Sequence, residues 1–185
     1  MKYIINTIAI ILLLIVIAAI TVSLLGFRIQ SLSERDLQAM YPTLRKGDLF
    51  LFKTNYDSTD FRRGDIFLIS DYRFPYPLVQ RIIGLENDNI KIDDGKIILN
   101  GRVLEEPYKS TISFNNGGKT TKDYNVQYEL EITVPPGKVY VAGDNRVLSL
   151  DSRDPSFGLI NEKEITGHVT TIFFSDHFSK IGTAL

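Results

Sequence analysis

Apolar and polar positions alternate on different periods along the chain. After Lys2, the stretch from Tyr3 to Phe27 carries no charge and is interrupted only by Asn6, Thr7, Thr21, Ser23 and Gly26. A helix that crosses the hydrocarbon core of a bilayer needs about 20 apolar residues, and this stretch supplies them. Its uninterrupted part, Ile8 to Ile20, also fits the apolar run of about 7–15 residues of a cleaved secretory signal, with Ala18, Ala19 and Ser23 as small residues. The pattern predicts a membrane anchor over residues 1–27, with a removed signal as the competing reading. Lys2 and the amino terminus on one side nearly balance Arg28 and Arg35 on the other, so charge alone sets no orientation.

From Leu44 onward, short runs of β-branched, aromatic and aliphatic residues are separated by turn dipeptides, which predicts strands. These runs are Leu49 to Phe52, Asp65 to Ile69, Val79 to Leu85, Ile90 to Ile92, Lys96 to Leu99 and Val139 to Ala142. Asp93-Asp94-Gly95 and Asn100-Gly101 are turn signals, and Pro135-Pro136-Gly137 introduces a further strand. Tyr108 to Tyr128, with Asn115-Asn116-Gly117-Gly118 inside it, is rich in Ser, Thr, Asn, Gly and Lys and is expected to be an exposed insertion. The expected organisation is an anchor at 1–27 and a mainly β domain at 28–185, with a small β/loop insertion at about 102–133.

Composition narrows the chemistry. The 185 residues are 44% hydrophobic, enough for one core, and the formal net charge of −1 offers no general attraction to nucleic acid. There is no cysteine, which excludes disulfides, thiol catalysis and thiolate metal sites. His168 and His177 are the only imidazoles, and they read as surface or core residues rather than ligands. No metal and no cofactor is expected.

Four segments in fixed order carry chemistry. They are Ala39-Met40-Tyr41-Pro42-Thr43-Leu44 with Gly47-Asp48, Arg63-Gly64-Asp65-Ile66, Val79-Gln80-Arg81-Ile82-Ile83-Gly84-Leu85, and Gly143-Asp144-Asn145-Arg146 running on through Ser149, Asp151, Ser152 and Arg153. Asn100-Gly101-Arg102 and Glu106-Pro107-Tyr108 lie between the third and the fourth. Alone, Arg-Gly-Asp would suggest integrin binding, but an apolar strand follows it. Together the segments resemble the type I signal peptidases, the Ser/Lys-dyad S26 peptidases that trim signal sequences at the outer membrane face. The resemblance implies a signal-peptidase-like β fold behind an N-terminal transmembrane helix. It places Leu37, Met40, Pro42 and Thr43 along a binding groove and makes Asp144, Arg146, Ser149, Asp151 and Arg153 a polar support, with Asp144 and Arg146 as a buried pair.

The family mechanism needs a serine hydroxyl and a lysine held neutral by burial, so that the amine can take the hydroxyl proton. Here the nucleophile position is Ala39 and the general-base position is Gln80. Alanine has no side-chain oxygen, and a carboxamide is neither nucleophile nor base near neutral pH. Leu37 stands where many relatives place a hydroxyl that helps hold the oxyanion. Removing the nucleophile of a serine protease costs about 10⁶ in turnover. Substitutes are poor: Thr43 and Ser149 match structural family positions, Ser31 and Ser33 lie in a linker, and Arg81 stays protonated. A deliberate Ser to Ala trap needs only one change, and three altered positions favour natural loss.

Signal-peptidase-like proteins without a dyad accompany sortase-assembled pili of Gram-positive bacteria, where pilin polymerisation needs them. The resemblance therefore implies a non-catalytic accessory factor in the cell membrane, single-pass, with its domain on the extracytoplasmic face. Its partners would be the bilayer and an extended polypeptide such as a pilin or preprotein, with a sortase nearby. An active signal peptidase with a non-standard nucleophile and a purely structural scaffold are the alternatives.

Overall fold

A computed structural model describes residues 2–31, 38–57, 60–110 and 130–185. Helix α1 spans Lys2–Leu24, and none of its apolar surface from Tyr3 to Leu24 is buried against the rest of the chain; the mean hydropathy there is 3.0. At 1.5 Å per residue it is about 34 Å long, enough to cross a bilayer core. The hydroxyls of Thr7 and Thr21 donate to the carbonyls of Tyr3 and Ile17, each 2.9 Å away, so these polar side chains are satisfied inside the helix. The helix stops at Gly26, whose φ is +82°. Arg28 donates back to the Ser23 carbonyl at 2.9 Å and to its hydroxyl at 2.8 Å, placing a cation at the negative end of the helix dipole.

The remainder is mainly β. The strands are β1 (Phe27–Ser31), β2 (Leu49–Lys53), β3 (Ile66–Ile69), β4 (Leu78–Gly84), β5 (Asn89–Asp93), β6 (Lys96–Leu99), β7 (Arg102–Val103), β8 (Leu130–Thr133), β9 (Lys138–Ala142), β10 (Ile160–Asn161) and β11 (Ile165–Phe174). A seven-stranded sheet runs in the order β1-β2-β11-β3-β4-β9-β10, and a four-stranded sheet in the order β7-β6-β5-β8. All six expected apolar runs overlap strands. The expected turns also hold. Asp93 pairs with Lys96 and Leu99 with Arg102. The residues between them, Asp94-Gly95 and Asn100-Gly101, all have positive φ, from 47° to 78°, as a two-residue hairpin turn matched to strand twist requires. Of the expected insertion, Arg102–Val103 and Leu130–Thr133 are strands of the smaller sheet, and residues 111–129 lie outside the described residues.

β4 is buried along its whole length, and alternation sends its side chains to opposite faces. Leu78 and Ile82 join a cluster with Phe61, Phe67, Val141 and Phe157, whereas Val79 joins one with Met40, Leu44, Phe50 and Val169. Gln80 therefore shares a face with Leu78 and Ile82, and Arg81 faces the other way. The Arg-Gly-Asp segment is built into the sheet: Gly64 N–H donates to the Ile82 carbonyl at 2.9 Å, and Arg63 pairs with Asp88 at 2.5 Å. His168 on β11 stacks on Phe67 with 4.7 Å between ring centroids, a half-buried core position of the kind the sequence suggested.

Candidate functional site

Among the described residues, the site begins with helical residues 38–39 and the turn that follows them into the core. Met40 and Leu44 are fully buried among Phe50, Ile66 and Val79, and Leu44 N–H donates to the Met40 carbonyl at 3.0 Å. The Tyr41–Pro42 peptide is cis. With its neighbour Met40 anchored in this way, Ala39 is only 4% exposed. Its carbonyl accepts the Asn145 N–H at 2.8 Å, which fastens the turn to the segment leaving β9. On the other side of that segment, Ser110 N–H donates to the Asp144 carbonyl at 2.7 Å and Arg146 N–H to the Ser110 carbonyl at 2.9 Å.

Gln80 projects from β4 into the same place and is 2% exposed. Its amide lies 3.4 Å from the Ser149 hydroxyl and donates to the Leu150 carbonyl at 3.3 Å. Beneath it, Gly143 N–H donates to Ser149 Oγ at 3.1 Å and to Asp151 Oδ2 at 2.9 Å. A Cβ on Gly143 would stand 2.3 Å from Ser149 Oγ and 2.6 Å from the Ala39 carbonyl oxygen, so this close approach requires glycine. Arg153 clamps Asp151 with bonds of 2.8 and 2.9 Å. Burial works against the Arg153 charge, but Asp151 more than offsets it and raises the guanidinium above its usual value.

The buried pairing differs from the expected Asp144–Arg146 ion pair. Asp144 is gripped by Arg81, with Nε to Oδ1 at 2.7 Å and a second bond at 2.6 Å, and it also accepts the Thr43 hydroxyl. Arg81 further donates to the Gly64 carbonyl at 2.5 Å and lies 4.1 Å from the centre of the Tyr108 ring. Arg146 pairs instead with Glu106, one bond measuring 2.9 Å, and donates to the Gly143 carbonyl at 3.0 Å. Register explains the exchange. Arg81 sits opposite Ala142 across the β4–β9 ladder, two residues from Asp144, whereas the backbone turns before Arg146. Burial, with Glu106 beside it, pushes the Tyr108 hydroxyl up to about 12.

A cleft of about 250 Å³ opens over this support, lined by Gln38, Ala39, Phe74, Leu78, Gln80, Leu148 and Leu150. Ala39 and Gln80 both line it. Met40, Pro42 and Thr43 do not line it: Met40 is core, and Thr43 serves Asp144. Leu37 lies outside the described residues. The apolar walls, Phe74, Leu78, Leu148 and Leu150, went unpredicted because such residues read as core in a sequence. Among the described residues, two lysines have an ammonium made easier to deprotonate by burial, Lys109 and Lys180. Lys109 donates to the Gly95 carbonyl at 3.0 Å, and Lys180 to the carbonyls of Pro42 and Thr43 at 2.7 and 2.6 Å. Neither lines the cleft. No cluster of His, Asp or Glu suited to a metal ion occurs among the described residues.

Residues 4–174 match the family described as signal peptidase, peptidase S26. The chain is 37% identical over 140 residues to signal peptidase I of Bacillus licheniformis, covering 74% of this chain and 72% of that protein. It is 36% identical over 141 residues to signal peptidase I U of Bacillus subtilis strain 168, covering 74% and 71%. The crystal structure of a signal peptidase I from Enterococcus faecalis V583 is 28% identical, with a TM-score of 0.48, covering 60% of this chain and 97% of that one. With a transmembrane helix in front and a mainly β domain behind, this chain belongs to the signal peptidase S26 family.

Proposed function

We propose that this protein holds an extended polypeptide segment in the cleft beside Ala39 and Gln80 without cutting it, as an accessory factor of pilin polymerisation at the cell surface. The observation that carries this reading is the lining of the cleft. Its described residues offer one carboxamide at the base position, another from Gln38, and otherwise only hydrocarbon side chains and backbone. Such a surface recognises a chain through main-chain hydrogen bonds and apolar contact, which need no dyad. Residues 1–27 serve as a single-pass anchor and residues 28–185 stand on the outer face, where a pilin, and a sortase acting on it, would be met. The pilus setting is supported by the loss of both dyad side chains in an otherwise well-matched family member.

Ala39→Trp tests the reading by filling the cleft while leaving Asp144 and Arg81 paired. The expected result is normal thermal stability with loss of peptide capture and of surface pilus polymerisation. Full polymerisation by a folded Ala39→Trp protein would refute it. The wild type is expected to leave preproteins uncut, and Ala39→Ser with Gln80→Lys to recover at most partial cleavage. Labelling of the wild type by a serine-directed covalent probe, with concurrent hydrolysis, would instead establish an active peptidase with another nucleophile. Protease shaving of intact cells checks the orientation: the domain is expected to be cut.

A further inference from the structure

The segment after β11, residues 175–185, turns back along that strand. Ile172 N–H donates to the Thr183 carbonyl at 3.2 Å, Gly182 N–H to the Ile172 carbonyl at 2.9 Å, and Leu185 N–H to the Thr170 carbonyl at 3.0 Å. Leu185 packs against the cluster that holds Met40 and Leu44. The segment also interlocks with the residues that leave the Ala39 turn. Ser175, fully buried, donates its hydroxyl to Asp48 Oδ1 at 2.6 Å, and Asp48 Oδ2 accepts the Arg45 N–H at 2.8 Å. A Cβ on Gly47 would stand 2.4 Å from Asp176 Oδ2, so the two segments are in contact there as well.

Lys180 reaches from this segment to the turn itself. Its ammonium donates to the carbonyls of Pro42 and Thr43 at 2.7 and 2.6 Å and lies 3.8 Å from Asp48 Oδ2, with only 18% of the side chain exposed. Burial makes this ammonium easier to deprotonate, and Asp48 only partly offsets the effect, so the lysine gives up hydration to reach the two carbonyls. Besides Met40 and Leu44 in the core, the turn has two other polar attachments, and both lead to the segment that leaves β9. They are the Ala39 carbonyl on Asn145 N–H and the Thr43 hydroxyl on Asp144. Two attachments to one segment leave a rotation about the line that joins them. Lys180 supplies a third from another part of the sheet, since β3 and β4 separate β11 from β9.

We propose that Lys180 is a positioning residue of the cleft: by holding the Pro42 and Thr43 carbonyls it fixes the turn that presents Ala39, and with it one wall of the cleft. Lys180 does not line the cleft and acts through the backbone of the turn. A wall displaced by about 1 Å no longer fits what it was built to hold. The role is the same whatever the cleft holds.

The chain contains no cysteine, so Ala39→Cys introduces a single thiol at a site only 4% exposed. Its modification by N-ethylmaleimide then reports how readily the turn opens. The full chain is used in mild detergent, well below its melting midpoint, with the folding of each variant checked by thermal melting. Added to Ala39→Cys, Lys180→Met should raise the modification rate about tenfold, because local opening no longer breaks two charge-assisted bonds. Lys180→Arg, which keeps the charge and the donors, should restore most of the protection. Lys180→Gln, shorter and uncharged, gives the same reading in a milder form. Ile97→Val is the control: it loosens the core of the smaller sheet and lowers overall stability without touching the turn, and should leave the rate unchanged. An unchanged rate in a folded Lys180→Met or Lys180→Gln protein would overturn the proposal. So would an equal acceleration by Ile97→Val, because the thiol would then be reached through global unfolding.

Discussion

Replacing Arg81 with leucine should cost about 3–5 kcal/mol of folding stability, because it strands a buried carboxylate. The Arg81 side chain is 9% exposed and that of Asp144 0%, so solvent screening does little for the pair. In Arg81→Leu, Asp144 loses two charge-assisted bonds of 2.7 and 2.6 Å and keeps the Thr43 hydroxyl. The Gly64 carbonyl loses its 2.5 Å donor and Tyr108 its stacked cation. The same pair on the surface would be worth about 0–1 kcal/mol, so the measurement separates the two situations. The double variant Arg81→Leu with Asp144→Leu should be less destabilised than the single one, since no uncompensated charge remains. Denaturant unfolding of the full chain in mild detergent, followed by tyrosine fluorescence, reads both values. A loss under about 1 kcal/mol for the single variant would refute the reasoning, because a screened pair costs no more than that.

Gly143→Ala should lose about 1–3 kcal/mol and weaken cleft binding, since the added methyl meets the Ala39 carbonyl oxygen at 2.6 Å and must displace it; thermal melting and peptide titration check this. Lys180→Met should cost about 1–3 kcal/mol by leaving the carbonyls of Pro42 and Thr43 without that donor, read by the same denaturant assay. His168 should make stability pH-dependent. Burial holds it below its ordinary 6.5, with Lys53 adding to the effect and Asp65 opposing it. Because the folded value is depressed, its contribution is complete above about pH 6.5 and is lost as pH falls through the folded value. The wild type should therefore lose more stability than His168→Gln between pH 7 and pH 5, as the denaturation midpoint against pH will show.

Local hairpins were legible in the chain, and long-range insertions were not. β5, β6 and β7 follow one another through two-residue turns whose Asp94-Gly95 and Asn100-Gly101 accept positive φ, so the turn chemistry and the pairing lie in the same few residues. β11 is the longest strand, yet no sequence run singled it out. Its Gly167, His168 and three threonines interrupt the apolar pattern, and each makes sense only beside a distant neighbour. A Cβ at Gly167 would stand 2.4 Å from the Phe52 ring, His168 stacks on Phe67, and the Thr170 hydroxyl donates to the Leu51 carbonyl at 3.3 Å. β11 is selected by β2 and β3, between which it is inserted.

The candidate site divides along the same line. The order of the four motifs was enough to bring Ala39, Gln80, Asp144, Ser149, Asp151 and Arg153 to one place, but sequence proximity misassigned the ion pair. Alternation along β4 decides that Gln80 faces the cleft while Arg81 turns to Asp144, and the bend after Asp144 leaves Arg146 to Glu106. This pairing changes what the polar support signifies. Asp144 ties Thr43 to Arg81, and Asp151 ties Gly143 to Arg153, so loss of Asp144 would leave the buried Arg81 cation unpaired, and loss of Asp151 the partly buried Arg153 cation, whether or not any bond is ever cut above them. The support is therefore explained by folding alone, and its presence does not argue for catalysis. The discriminating residues lie in the cleft itself, where Gln80 spends its amide on Ser149 and Leu150. A lysine there would be buried at a desolvation cost, either as an ammonium or by giving up its proton, whereas the carboxamide is satisfied without one. Under the proposed non-catalytic reading, relief of that cost gives a physical reason why Ala39 and Gln80 occur together: without the hydroxyl, a buried amine would have no proton to take.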